Sequence, residues 1–239
     1  MIKCVCFDFD RTLAYVKPPT HKYIPQLLTQ YGHPISVEAF KKHMVDVIVR
    51  LPESLSQKMN RFGKLSKEDR LAFKETYNKT RIAMLNLDIS AEELNELQEK
   101  IVKKLLQKQK KYLYDDVTDT ITKLKSRDLK LYVLSGNHSD GIIQLLSEAN
   151  LLDKFENIIT CDKYDVQKIN NFSELLSHSN FAPQEILHIG DDVHTDGHGP
   201  KQYGINSIII RRPGQMVFNH EKHPYPVIKS LNEVFNYLS

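Results

Sequence analysis

The sequence predicts an α/β protein: a mostly parallel sheet covered by helices on both faces, with an all-helical unit inserted in its first crossover. Three observations carry this expectation. Short apolar runs end in polar chemistry at residues 4–12, 129–137 and 186–192. From Asp115 onward, helical and strand-like segments alternate, which is the pattern of a parallel sheet buried on both faces. Residues 17–112 read instead as helices without convincing strands, and so interrupt the alternation after its first strand.

The first strand is the run Cys4-Val5-Cys6-Phe7, which leads into Asp8-Phe9-Asp10-Arg11-Thr12. Side chains alternate along a strand, so Asp8 and Asp10 leave the same face, where their repulsion calls for a cation or a shared proton. A strand running into an Asp-rich turn is the plainer alternative. Within the helical stretch, Tyr23, Leu27 and Tyr31 recur every four residues and stop at Gly32 and Pro34. Val37, Phe40, Met44, Val47, Ile48 and Leu51 make a second stripe, started by Ser36 and ended at Pro52. Ser66 precedes a third helix. Ser90-Ala91-Glu92-Glu93 has the spacing of a capping box, and the helix it opens carries Leu94, Leu97, Ile101, Val102, Leu105 and Leu106 on one face.

Beyond Asp115, Val117, Ile121 and Leu124 mark a helix, Leu129–Leu134 a strand bounded by Ser135-Gly136-Asn137, and Ile142, Ile143, Leu146 and Ala149 a second helix. Short strands follow at Ile158-Ile159, Ile186–Ile189 and Ile205–Ile210. Lys168 opens an amphipathic segment with Phe172, Leu175 and Leu176 at helical spacing, which puts its ammonium at a loop-to-helix junction. The third polar terminus is Gly190-Asp191-Asp192, with Asp196 four residues further on. Leu231, Val234, Phe235 and Leu238 close the chain on an amphipathic helix. In open parallel sheets ligands bind outside the carboxyl ends of the strands, so Asp8, Asp10, Ser135, Lys168, Asp191 and Asp192 are expected to converge there.

The 239 residues suffice for a core and a smaller companion, and 41% hydrophobic beside 26% charged residues excludes a disordered chain. Met1 passes straight into the strand and no apolar run is long enough to span a bilayer, so a cytoplasmic protein without membrane attachment is expected. Cys4, Cys6 and Cys161 are an odd number in apolar surroundings and read as buried, reduced thiols. Charge divides unevenly: residues 17–112 hold 19 Lys and Arg against 11 Asp and Glu, and the remainder holds 14 against 19. A basic unit beside an acidic one would draw in an anionic substrate. The run of Lys100, Lys103, Lys104, Lys108, Lys110 and Lys111 reads more simply as a solvated helix face. No motif of interleaved aromatic and basic residues points to nucleic acid.

Taken in order, these motifs resemble those of the haloacid dehalogenase superfamily of aspartate-nucleophile phosphotransferases, from residue 2 to the final helix. The resemblance implies a Rossmann-like catalytic core over residues 1–16 and 113–239 and a helical cap domain over 17–112. Asp8 matches the nucleophile and Asp10 the acid/base of the first motif, Ser135 the hydroxyl of the second, Lys168 the lysine of the third, and Asp191 with Asp192 the metal-binding acids of the fourth. Magnesium would then be held by Asp8, the Asp10 backbone carbonyl and Asp191, with Asp192 or Asp196 orienting that shell. Ser135, the Gly136 amide, Asn137 and Thr12 would face the substrate, although Asn137 also suits a helix entry and Thr12 a turn cap. Arg11 stands where many members have glycine, and Pro200 where many have alanine.

The implied function is a magnesium-dependent phosphatase that hydrolyses a small phosphorylated metabolite through an aspartyl-phosphate. A sugar phosphomutase shares every core residue; 2-haloacid dehalogenation needs neither Asp10 nor the later acids; a silent scaffold leaves the acid set unexplained. Arg50, Arg61 and Arg81 are candidate anion anchors in the helical unit. His194 and His198 are four residues apart but lack an obvious third ligand, which favours surface histidines.

Overall fold

The computed structural model describes residues 1–60, 62–164, 171–217 and 221–238. The chain divides into two compact units, one of Met1–Tyr15 with Tyr112–Ser239 and one of Val16–Lys111.

The first unit is built on β1 (Cys4–Phe7), which is buried at every position. The chain leaves through β2 (Ala14–Lys17) and returns through β3 (Lys110–Leu113), and these two strands pair in a small sheet of their own. Then follow α6 (Val117–Lys125), β4 (Lys130–Ser135), α7 (Ser139–Glu148), β5 (Asn157–Thr160), the one-turn α8 (Cys161–Tyr164), α9 (Asn171–Ser179), β6 (Ile186–Gly190), the short α10 (Gly199–Lys201), β7 (Asn206–Ile210) and β8 (Val227–Ile228). The main sheet has six strands in the order β5-β4-β1-β6-β7-β8, and every pairing in it is parallel. β1 lies between two strands remote in sequence, with Phe7 opposite both Val133 and Ile189. That register brings the ends of β1, β4 and β6 to one edge of the sheet.

Alternation along β1 supplies both faces of the sheet. Val5 and Phe7 pack with Leu131, Val133, Leu187 and Ile189 against α6, α7 and the closing segment around Leu231 and Val234. Cys4 and Cys6 face the other way, with Tyr132 and Leu134, onto Phe172 and Leu175 of α9. All three cysteines are buried and unbridged, and burial, aided by Glu156, pushes the Cys4 thiol up to about 12, so it is chemically quiet. The closing segment, Leu231–Tyr237, is a 3-10 helix rather than the expected α-helix; Ser230 and Glu233 form a capping box at its start.

The second unit comprises α1 (Thr20–Gln30), α2 (Val37–Val49), α3 (Glu53–Asn60), α4 (Lys67–Ala83) and α5 (Ala91–Lys108). Ser36, Ser66 and Ser90 each accept a hydrogen bond from the backbone N–H three residues on, and Glu93 completes the box at Ser90. The apolar stripes meet inside: Ile24, Leu27, Phe40, Phe73, Ile82, Ile101 and Leu105 are buried. Gln109 Nε2 donates to the Pro18 carbonyl and to Thr20 Oγ1, tying the two ends of the unit together. Helix α3 carries one buried apolar residue, Leu55, and so leaves no periodic stripe in the sequence. The lysine run is partly engaged, since Lys100 pairs with Glu96 at 2.9 Å and Lys104 lies 5.0 Å from the Tyr31 ring centre. No helix among the described residues is long and apolar enough to cross a membrane.

Candidate active site

At the end of β1 the Asp8 amide donates to the Ile189 carbonyl of β6 at 2.8 Å, so the strand carries Asp8 buried to the sheet edge. The chain then turns at once: Leu13 N and Ala14 N both donate to the Phe9 carbonyl, and Arg11 N to Ala14 O. Arg11 sits in this turn at φ 65°. That region costs a non-glycine residue about 1–2 kcal/mol. The other described non-glycine residues at positive φ are Asn86, Asp128, Asn150 and Asn180, types that tolerate it; Arg11 is the exception. Its Nε lies 3.0 Å from Asp191 Oδ2. Burial alone would lower the pKa of the Arg11 guanidinium, but Asp191, then Asp8, Asp10 and Asp192, outweigh it and hold the pKa above its ordinary value.

The segment after β6 contributes the opposing acids. Beyond Gly190 the chain enters a π-helical turn, Val193–His198, whose first N–H groups are capped by Asp192: its Oδ1 accepts from Thr195 N at 2.9 Å. This wider turn swings Asp196 back over Gly190. A Cβ on Gly190 would stand 2.1 Å from Asp196 Cγ, so only glycine permits the approach. Asp196 is fully buried, with Oδ1 accepting from His188 Nε2 at 2.8 Å and Oδ2 from the Asp192 amide at 3.0 Å. His188 projects from β6 onto the edge of Phe172, with ring centres 4.9 Å apart. Carboxylate oxygens of Asp8, Asp191 and Asp196 thereby lie within 4.8 Å of one another.

Asp192, expected among the metal-binding acids, does not join this group. Its Oδ1 is committed to capping the turn, and Asp196 takes the place. The alternative between Asp192 and Asp196 had no answer in the sequence, because a one-residue-wider helical turn decides which carboxylate points inward. The signal for the second partner was nevertheless present: a histidine inside the strand Ile-Leu-His-Ile-Gly needs a buried hydrogen-bond partner.

From β4, Ser135 is buried, and its Oγ accepts from the Asn137 amide at 3.2 Å. Asn137 is turned toward the first motif, its Nδ2 donating to Asp10 Oδ2. The loop is held from behind by Asp162, which accepts from Ser139 N at 3.0 Å and Ser139 Oγ at 2.7 Å. Burial alone would raise the Asp162 carboxyl; the bonds from Ser139 and the nearby His138 hold it below the carboxylate range instead. Thr12 is fully buried with its hydroxyl unbonded; what the structure holds is its carbonyl, which accepts from Arg212 Nε at 3.1 Å and Nη2 at 2.8 Å. Through its carbonyl, Thr12 ties the turn to Arg212.

Lys168 and Arg61 lie outside the described residues. Arg50 is exposed. Arg81 packs on the Tyr77 ring, 3.9 Å from its centre, and donates to Asn78 Oδ1 at 3.1 Å. His198 is occupied by Tyr225 and Glu221, each at 2.7–2.8 Å, and His194 is exposed, so neither joins the acids.

Three carboxylates converging in this way form a hard-oxygen donor set, and it fits a divalent cation such as Mg2+. Asp10 stands beside them with a bonded but separate carboxylate. The arrangement therefore places one acid just past the end of β1, a second beside it, and two more just beyond β6 within reach of the first.

The sequence profile of the haloacid dehalogenase-like hydrolases matches residues 2–204. The chain is 26% identical over 122 residues to the (S)-2-haloacid dehalogenase of Pseudomonas sp. strain YL, an alignment covering 51% of this chain and 53% of that protein, so it spans about half of that relative's length. Among solved structures it is similar to a phosphatase from Thermococcus onnurineus (22% identity, TM-score 0.55, 100% and 98% of the two chains). It is also similar to the L-2-haloacid dehalogenase of Xanthobacter autotrophicus (18%, TM-score 0.58, 100% of both chains). At these identities the likeness to solved structures shows the fold.

Proposed function

We propose that this chain, which belongs to the haloacid dehalogenase-like hydrolase family, is a magnesium-dependent phosphatase acting on a small phosphorylated metabolite. The observation that carries this reading is the excess of acids over what dehalogenation needs: Asp10 beside Asp8, and Asp191 and Asp196 converging on Asp8. Hydrolytic dehalogenation calls for neither a leaving-group acid nor a metal, and would give these three no part in the chemistry.

In this mechanism Asp8 attacks phosphorus, forming an aspartyl-phosphate as the ester oxygen departs. Asp10 gives that oxygen a proton and then takes one from the water that hydrolyses the intermediate. Asn137 orients the Asp10 carboxylate for both transfers. Ser135 and the Gly136 amide bind phosphate oxygens, and Lys168, by its family role, offsets their charge. Asp8, Asp191 and Asp196 would hold Mg2+, which when bound neutralises charge on the transferring group. The helical unit, inserted after the first motif, would serve as a cap that selects substrate and excludes water.

The second reading, 2-haloacid dehalogenation, is supported by the sequence likeness to the Pseudomonas enzyme. One assay separates the two: phosphate release from p-nitrophenyl phosphate with magnesium and with chelator, run beside halide release from 2-chloropropionate. The expected result is metal-dependent phosphate release and no halide. Halide release without metal, with no phosphate released, would overturn the phosphatase.

A further inference from the structure

Arg11 is the one described non-glycine residue at positive φ that is neither asparagine nor aspartate, and it occupies the turn between the two acids of the first motif. A side chain that large is retained there at a conformational cost, and what it gains is visible. Its Nε reaches Asp191 Oδ2 at 3.0 Å, and Asp191 is one of the three acids whose oxygens converge within 4.8 Å. The pair is largely shielded, with the Asp191 side chain 14% and the Arg11 side chain 33% exposed, so water screens it only in part. The backbone on the other side of Asp191 is also held, its carbonyl accepting from Arg211 Nη1.

We propose that Arg11 is a built-in counter-ion that competes with the divalent cation for Asp191. A guanidinium 3.0 Å from Asp191 Oδ2 and a divalent cation on the same carboxylate would put two positive charges within a few ångströms, where they repel each other. Binding of the metal is therefore weakened for as long as Arg11 stays against Asp191. The acid cluster is partly neutralised at low magnesium, and occupancy of the site is shifted to higher magnesium than the three carboxylates alone would set. Arg11 is in this sense a positioning residue for the metal. The inference rests on the magnesium reading of the proposed function, but not on the identity of the substrate.

The test is calorimetric titration of the 239-residue protein with MgCl2, without substrate, in the wild type and in Arg11→Gly, Arg11→Gln and Arg11→Lys, each checked for folding by circular dichroism. Arg11→Gly and Arg11→Gln should each bind Mg2+ about tenfold or more tightly than the wild type, because a like charge has been removed from the site. Arg11→Lys, which keeps the charge, should stay close to the wild type. Equal or weaker binding in both neutral variants overturns the counter-ion. Tightening in Arg11→Gly alone also overturns it, since that variant relieves the backbone and Arg11→Gln does not. Absence of Mg2+ binding in all four proteins overturns the magnesium reading itself and this inference with it; binding that is unchanged across the four overturns only the inference.

Discussion

Asp8, Asp10 and Asp191 share one functional group but stand in different company, so their asparagine variants should fail differently. Asp8→Asn removes the nucleophile at a buried strand end and should abolish phosphate release while leaving the circular dichroism unchanged. Asp10→Asn removes proton transfer, worth about 10²–10⁴ in rate, and the loss should be largest for alkyl phosphates and smallest for nitrophenyl phosphate, whose leaving group needs no proton. Wild-type phosphate release from Asp8→Asn would sink the mechanism; equal losses on both substrates in Asp10→Asn would remove Asp10 from the acid role. Gly190→Ala places a methyl against Asp196 and should cost about 1–3 kcal/mol together with the Mg2+ binding that Asp196 supports, read by urea unfolding and calorimetry. At this scale the placement of Asp8, Asp10, Ser135 and Asp191 at strand ends was legible because each follows or closes an apolar run. Asp192 and Asp196 were not separable, since only the width of the Val193–His198 turn decides between them.

The loop after β7 shows how elements far apart in sequence are stitched together. Arg212 is buried, pairs with Asp116 at 2.6 Å, covers the Tyr114 ring at 4.1 Å and holds the Thr12 carbonyl; Asp116 also accepts from Ser230 Oγ at 2.7 Å and Leu231 N at 2.8 Å. Four segments meet at this pair. Removing one partner leaves the other charge buried, so Arg212→Leu should destabilise the protein by about 3–5 kcal/mol in urea unfolding. Burial alone would raise the Asp116 carboxyl, yet the hydrogen bonds from Arg212, Ser230 and Leu231 hold it below the carboxylate range. Its stabilisation is therefore complete above about pH 5 and is lost as the pH falls through the depressed value. The stability gap between wild type and Asp116→Asn should be flat at neutral pH and close in acid; a gap that widens on acidification would contradict the assignment. None of this network was legible in the sequence, because an arginine after a strand and an aspartate before a helix give no sign of meeting. The two connecting strands β2 and β3 were missed for the same reason: Lys110–Leu113 finds its partner in Ala14–Lys17, more than ninety residues away.

At the level of the whole molecule, the division into Met1–Tyr15 with Tyr112–Ser239 and Val16–Lys111 sets where the proposed cap would hinge. Brief proteolysis of the native protein should cut first at residues 14–18 or 112–116, where the chain crosses between units, and Mg2+ with vanadate should slow that cleavage. First cuts inside the helices, unaffected by these additions, would argue against a hinge there. The helical unit announced itself through caps and stripes, signals that are local: Ser36, Ser66 and Ser90 each cap the helix that their spacing indicated. The order of the chemical motifs and the burial of β1 on both faces were likewise written in the sequence, because hydrophobic alternation and strand-end polarity depend only on near neighbours. The tertiary structure alone decided which carboxylates converge, that Arg11 lies against Asp191, and that Arg212 closes over Thr12. Those outcomes are fixed by the parallel register that sets β1 between β4 and β6 and by backbone geometry at Arg11, Gly190 and the π-helical turn, where distances between remote residues, rather than the preferences of adjacent ones, carry the energy.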